Sequence, residues 1–333
     1  MIERLLIVRP RFIGDICLTL PTLDAVRRAC PRARVAYVVE ESCAPLLRGD
    51  PRVDELIVSR RHGGTWDVIA ALHAFRPQVV FDLFCNPRTA IWTALAGARI
   101  RVGYPGKGWR SAVYTHHVRP RVLSAVDFHL ASVTRLGWPT EKTAPRLHLD
   151  EAERHEARRS LEALGVPLAA PLLGMHPGAR WPTRRWAPER FAALASRYLE
   201  EHPQGVVLVT GAADEDALVR EVVAGIPAGR AFPIAGWPLS RFVALQSLCA
   251  AFVCGDTGPL HTSASAGTPT LGLMSRNRPA MFFPYFESDG HRAYYARVEC
   301  SPCHRDLCSD LRCLHRLTVE GAWSVLSSML RRV

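Results

Sequence analysis

Short apolar runs alternate with amphipathic stretches along most of the chain, in two series parted by an aperiodic segment. Residues 4–8 read as a buried strand and 9–15 as the turn after it. Ile16, Leu20, Leu23 and Val26 then recur at helical spacing as far as Pro31. Residues 34–39, 56–58 and 79–83 are further strands, 89–96 a helix and 100–104 a short strand. Residues 139–149 are polar, proline-containing and aperiodic, and 151–164 form an Arg/Glu-rich helix closed by Gly165. The alternation then restarts, with strands at 172–175, 205–211, 232–236 and 250–254 and a last strand at 268–274. Helices are expected at 186–201, 214–223 and 239–249, and an amphipathic helix at 318–333.

This alternation predicts an α/β fold with parallel sheets covered on both faces. Two doubly wound units in tandem are expected, residues 1–165 and 166–316, with a helix at 317–333 packing back toward the first. Ligands of such sheets bind beyond the carboxyl ends of the strands, so the natural site is a central cleft that the two units face.

A chain of 333 residues suits two domains, and 48% hydrophobic with 22% charged residues suits a soluble globular protein. No apolar stretch is long enough to span a membrane, and Met1-Ile2-Glu3-Arg4-Leu5 lacks a signal-peptide pattern, so the expected compartment is the cytoplasm. The net charge of +11 is carried by arginine, since only Lys107 and Lys142 are lysines. It points to an acidic partner, either a phosphate-bearing substrate or an anionic membrane surface touched peripherally. No continuous basic run or RNA-binding aromatic signature supports a nucleic-acid partner. Cys17, Cys30, Cys43, Cys85, Cys249 and Cys254 read as buried thiols. Cys300, Cys303, Cys308 and Cys313 cluster near the C-terminus, and two readings stay open: a structural Zn or Fe thiolate site, or a reduced loop.

Candidate chemistry lies in the loops after strands. Gly255-Asp256-Thr257-Gly258-Pro259-Leu260-His261 reads as strand, glycine turn and helix start, where free N–H groups and the helix dipole attract phosphate. His176-Pro177-Gly178-Ala179 leads to Arg184, Arg185 and Trp186; either arginine suits a diphosphate. Gly211 with Asp214 and Glu215 is either a helix cap or a ribose contact. Gly14 permits a tight turn. Asp15 is either a helix cap or a general base, with Arg9 and Arg11 for an anionic acceptor. No GxGxxG fingerprint is present, which argues against a dehydrogenase.

Taken in order, three of these segments resemble glycosyltransferase family 9, the ADP-heptose:lipopolysaccharide heptosyltransferases. They are the Gly14-Asp15 loop, His176-Pro177-Gly178-Ala179 with Arg184-Arg185-Trp186, and Asp256-Thr257-Gly258-Pro259-Leu260-His261 followed by Gly267-Thr268-Pro269. The resemblance implies a GT-B fold of two Rossmann-like domains, with the acceptor on the first and the nucleotide-sugar donor on the second. It implies inverting transfer of a heptose from ADP-heptose to an inner-core lipopolysaccharide sugar, with no cofactor or metal in catalysis. Asp15 becomes the base, and Arg184 stands where the family often has a lysine near the diphosphate. Thr257, Gly258 and His261 become diphosphate contacts, Asp256 a contact of the sugar or its neighbours, and Gly211 and Asp214 contacts at the adenosine end. Iron-binding cysteine tails belong to protein-heptosylating members of the family. The loop Pro10-Arg11-Phe12-Ile13 is bulkier and more basic than the family's usual version, which leaves open another nucleotide-sugar or a protein acceptor; against a third alternative, a non-catalytic nucleotide-sugar binder, stand Asp15 and the complete second-domain motif.

Overall fold

The apolar runs build two parallel sheets of six strands each. The computed structural model describes residues 2–60, 64–106, 108–121, 124–303 and 305–331, and it divides into units Met1–His148 and Leu149–Val333. In the first unit β1 (Arg4–Val8), β2 (Arg34–Glu40), β3 (Glu55–Ser59), β4 (Val79–Asp82), β5 (Ile100–Gly103) and β6 (His116–His117) line up as β3-β2-β1-β4-β5-β6. The register sets Leu6 between Ala36 and Val80, and Val8 between Val38 and Asp82. Five helices complete the unit: α1 (Ile13–Ala29), α2 (Thr65–Phe75), α3 (Pro87–Leu95), α4 (Arg110–Val113) and α5 (Ala125–Thr134). Leu6, Val8, Ala36, Val38 and Val80 pack under Val68, Ile69, Leu72 and Phe75 of α2 and Trp92 of α3. Leu5 and Ile7 point the other way along the strand and are equally buried, as a doubly covered sheet requires.

The second unit opens with α6 (Glu151–Ala163), then β7 (Leu172–His176), α7 (Pro188–Glu201), β8 (Val206–Gly211), α8 (Asp216–Ala224) and β9 (Ala231–Ala235). It continues through α9 (Leu239–Gln246), β10 (Ala251–Gly255), α10 (Gly258–Ser265), β11 (Thr270–Met274), α11 (Pro279–Phe282), β12 (Arg292–Tyr295), α12 (Arg312–His315) and α13 (Val319–Leu330). Its strand order, β12-β11-β10-β7-β8-β9, repeats that of the first sheet. In each sheet the order reverses next to the first strand: between β1 and β4, and between β7 and β10. Loops leaving the carboxyl ends of those strands flank a natural ligand crevice.

Several details differ from the sequence reading. The division falls after His148, because α6 packs on α9 of the second unit. The last strand is β12, not residues 268–274; its sequence Arg-Ala-Tyr-Tyr is half-buried at the sheet edge and lacks an apolar run. Gly14 is buried in the first turn of α1 rather than forming a tight turn. Cys30 is half-exposed, unlike the five other scattered thiols. α13 packs on α7 and β12 through Trp323, Leu326 and Met329. Arg332 and Val333, the end of the expected terminal helix, lie outside the described residues.

Candidate active site

In the first unit the polar groups gather where β1, β2 and β4 end. Arg9 leaves β1 with its guanidinium 4.9 Å from the Phe84 ring, and its Nη1 donates to the Leu83 carbonyl at 2.5 Å. Its Nη2 lies 2.6 Å from Oδ1 of Asp15, the third residue of α1. The Phe12 N–H donates to Asp15 Oδ2 at 3.4 Å, so this carboxylate does close the helix end. It also keeps a third of its side chain exposed (33%), so the cap leaves it accessible. Arg11 lies 3.8 Å from Glu40 Oε1, and Arg88 bonds the same buried carboxylate.

A buried network holds this edge from behind. Asp82 accepts from the Phe84 N–H at 3.0 Å, the Cys85 N–H at 2.8 Å and the Tyr114 hydroxyl at 2.8 Å. Burial pushes its carboxyl above the ordinary range against those donors. The bonds tie down the loop that presents Leu83 and Phe84 to Arg9. His129 pairs with the Tyr104 hydroxyl at 3.1 Å, and burial, with Arg9 nearby, holds its imidazole well below the usual histidine range.

In the second unit the loop after β7 meets the turn after β10. Arg184 Nη1 donates to the Asp256 carbonyl at 2.7 Å and lies 3.7 Å from Asp256 Oδ2. Asn277, just past β11, donates to the same Oδ2 at 2.5 Å, and Asp256 is almost wholly buried. Asp256 therefore braces the guanidinium of Arg184. A Cβ on Gly255 would stand 2.5 Å from the Arg184 carbonyl, so only glycine lets the loop lie against the strand end. Thr257 is the extended N-cap of α10 and makes no side-chain bond to the helix start, where Gly258 is the first residue. His261, one turn on, has its Nδ1 2.9 Å from the Tyr285 hydroxyl.

Arg185 is turned aside, its Nε donating to the Ala179 carbonyl at 2.6 Å. Gly211 ends β8, and Asp214 is exposed in the turn beyond it. The carboxylate engaged there is Glu215, which accepts from the Ala212 N–H at 2.9 Å and lies 3.4 Å from His176 Nε2. The hydrogen bond from His176 holds the Glu215 carboxyl below its ordinary value. A Cβ on Gly178 would fall 2.2 Å from Glu215 Oε1. Glu40, Phe84, Arg88, Asn277 and Tyr285 escape the sequence reading. The available signals were a charged residue ending an apolar strand at Glu40 and a polar Arg-Asn pair ending another at Asn277.

The clustered cysteines Cys300, Cys303, Cys308 and Cys313 differ in their surroundings. Among the described residues no group of three or more His, Cys, Asp or Glu is placed to hold a metal ion. Cys300 is exposed, the Cys308 thiol donates to the Asp310 carbonyl at 3.0 Å, and Cys313 is buried in α12 with Leu314 and Leu317. Among the described residues no helix is long and apolar enough to cross a membrane.

Tandem Rossmann-like units of one strand order, with an arginine and a helix start at the second reversal, define the GT-B fold class. Residues 70–313 match the sequence model of glycosyltransferase family 9 (heptosyltransferase), and the chain belongs to that family of enzymes. It is 25% identical over 294 residues to lipopolysaccharide heptosyltransferase 3 of Escherichia coli (strain K12), covering 84% of each chain. Its structure resembles that of the glycosyl transferase family 9 protein from Veillonella parvula DSM 2008, with a TM-score of 0.87 at 22% identity over 99% of this chain and 98% of that one. It also resembles the E. coli ADP-heptose lps heptosyltransferase II, with a TM-score of 0.82 at 21% identity over 99% of both.

Proposed function

We propose that this glycosyltransferase moves a heptose from ADP-heptose to an inner-core lipopolysaccharide sugar, with inversion and without a metal. The observation that carries this reading is the Arg184–Asp256 brace beside the start of α10, which aims a cation and a helix N-terminus at one place. The names of the relatives supply the sugar, the nucleotide and the lipopolysaccharide.

In this reading the second unit holds the donor. The diphosphate lies at the Thr257–Gly258 helix start, with Arg184 and the Tyr285-held His261 against it and the adenosine toward the turn after Gly211. The first unit holds the anionic acceptor through Arg9 and Arg11. The Asp15 carboxylate, oriented by Arg9, takes the acceptor hydroxyl proton as that oxygen bonds to the anomeric carbon. The bond from the anomeric carbon to the phosphate oxygen breaks, and ADP leaves with the electron pair. Arg184 and the α10 dipole stabilise its charge. One displacement with one base gives inversion. The enzyme would act in the cytoplasm, where an ADP-sugar can meet a lipid-linked acceptor.

An exposed feature favours a second reading for the acceptor alone. Phe12 is 47% exposed with the Arg11 guanidinium 5.3 Å from its ring, a surface that also suits an acceptor with apolar groups, such as a protein. Thermal-shift titration with ADP-heptose and with ADP-, UDP- and GDP-hexoses tests the donor, and NMR of the product tests the anomer. The reading expects the largest shift from ADP-heptose and an inverted linkage. A preference for a UDP- or GDP-sugar, or retention, would overturn it.

A further inference from the structure

The outer faces of α2 and α3 gather three large exposed apolar side chains, Trp66, Ile91 and Leu95. On α2 the exposed positions include Trp66, Ala70 and Ala74, four residues apart; on α3 they are Pro87, Ile91, Ala94 and Leu95. Trp66 is 77% exposed, and Ile91 and Leu95 are 41% and 42% exposed, one turn apart. The two helices pack side by side over the same core. Asp67 is the one carboxylate on either helix, and Arg88 of α3 is turned onto Glu40 and the Trp92 ring. By contrast α6, with sequence Glu-Ala-Glu-Arg-His-Glu-Ala-Arg-Arg-Ser-Leu-Glu-Ala, has charge on nearly every exposed turn. An apolar helical face with a tryptophan at one end is not an ordinary solvated surface.

At the other end of the same two helices an open groove of about 610 Å3 runs past their last turns. His73, Arg76 and Arg99 line it, and no carboxylate does. The His73 ring is anchored 2.7 Å from the Leu95 carbonyl, which fixes the cationic groove to the apolar face.

We propose that the α2–α3 face of the first unit docks on an anionic bilayer. Trp66, Ile91 and Leu95 enter the interfacial layer, while His73, Arg76 and Arg99 meet lipid phosphates. Tryptophan beside aliphatic residues with basic groups at the rim is the pattern that interfacial binding selects. The shortage of carboxylates on this face argues against a second copy of the chain. A second copy could offer these basic groups only Asp67 from the same two helices, whereas anionic headgroups neutralise them all. The inference stands whichever sugar the enzyme transfers.

Flotation of the full-length protein with vesicles tests it, using phosphatidylcholine alone and phosphatidylcholine with phosphatidylglycerol in equal parts. Binding is expected on the phosphatidylglycerol vesicles, weakening as salt is raised. The double variant Ile91→Glu, Leu95→Glu should bind about tenfold or more weakly, because it removes the buried apolar area and adds like charge to the membrane's. The variant Arg76→Gln, Arg99→Gln should lose the preference for phosphatidylglycerol. Unchanged far-UV circular dichroism and thermal midpoint establish that both variants fold, as substitutions at exposed positions should. Failure of the parent protein to float with phosphatidylglycerol vesicles would overturn the proposal, and so would equal binding by the Ile91/Leu95 variant. If sedimentation velocity instead showed a parent dimer that this variant dissolves, with no vesicle binding by either, the face would be a self-association surface and the proposal would fall.

Discussion

Arg184 and Asp256 are 72 residues apart in sequence, yet one guanidinium nitrogen of Arg184 is fixed on the Asp256 backbone. Charge-assisted bonds between a guanidinium and a phosphate are the strong ones. Arg184→Ala should weaken ADP binding about tenfold to a hundredfold by calorimetry, the range expected for losing a bond to a charged group. Arg185→Ala should do far less, since Arg185 is turned onto the Ala179 carbonyl. Glu215 makes a pH prediction. Its folded carboxyl titrates below its ordinary value of 4.5, so it contributes stability above that pH, lost as pH falls through the folded value. Glu215→Gln should remove part of the acid-side loss of stability, followed by urea unfolding between neutral pH and pH 4 and below. If parent and variant lost stability in parallel, the His176–Glu215 bond would not be responsible. Asp15, Arg184 and Asp256 were legible because each follows an apolar strand at a turn where such residues do chemistry. Phe84, Asn277 and Tyr285 were not. They take part only because sheet order and the loops after β4 and β11 bring them beside residues remote in sequence.

At the scale of elements, both sheets place their polar loops by the same device, a first strand flanked by its second and fourth. β1 and β7 were legible as unbroken apolar runs, which is what strands buried on both faces require. α2 and α5 were not, because Ala70 and Ala74 interrupt the polar face of α2, and buried His129 and Ser132 interrupt the apolar face of α5. β12 was missed for the opposite reason, as a half-buried edge strand need not be apolar. The contact between β10 and the loop after β7 depends on one glycine. Gly255→Ala would drive a Cβ against a backbone oxygen that has no rotamer to escape to. A cost of about 1–3 kcal/mol is expected by chemical denaturation, typical of overpacking, with loss of ADP affinity as the Arg184 loop shifts. If the alanine variant bound ADP normally, the loop would be more compliant than the strand–loop contact implies.

Across the whole molecule, the duplicated strand order sets a cluster of polar loops at the strand ends of each unit. The first unit carries a carboxylate, Asp15, set by Arg9, and the second carries a cation, Arg184, set by Asp256 beside a helix start. The plan of two sheets was legible from the sequence in outline, since both halves restart the same alternation. The boundary was not, because α6 follows the aperiodic segment in sequence while its partner is α9. In the proposed mechanism the base and the donor site are separate, and Asp15→Asn tests that most directly. The amide keeps the shape of the carboxylate and removes its basicity. Turnover of ADP-heptose should fall about a hundredfold to ten-thousandfold, the usual worth of a general base, while the ADP dissociation constant from calorimetry stays within about a factor of two. Near-normal turnover, or a loss of ADP affinity as large as the loss of rate, would contradict the account and leave Asp15 a helix cap.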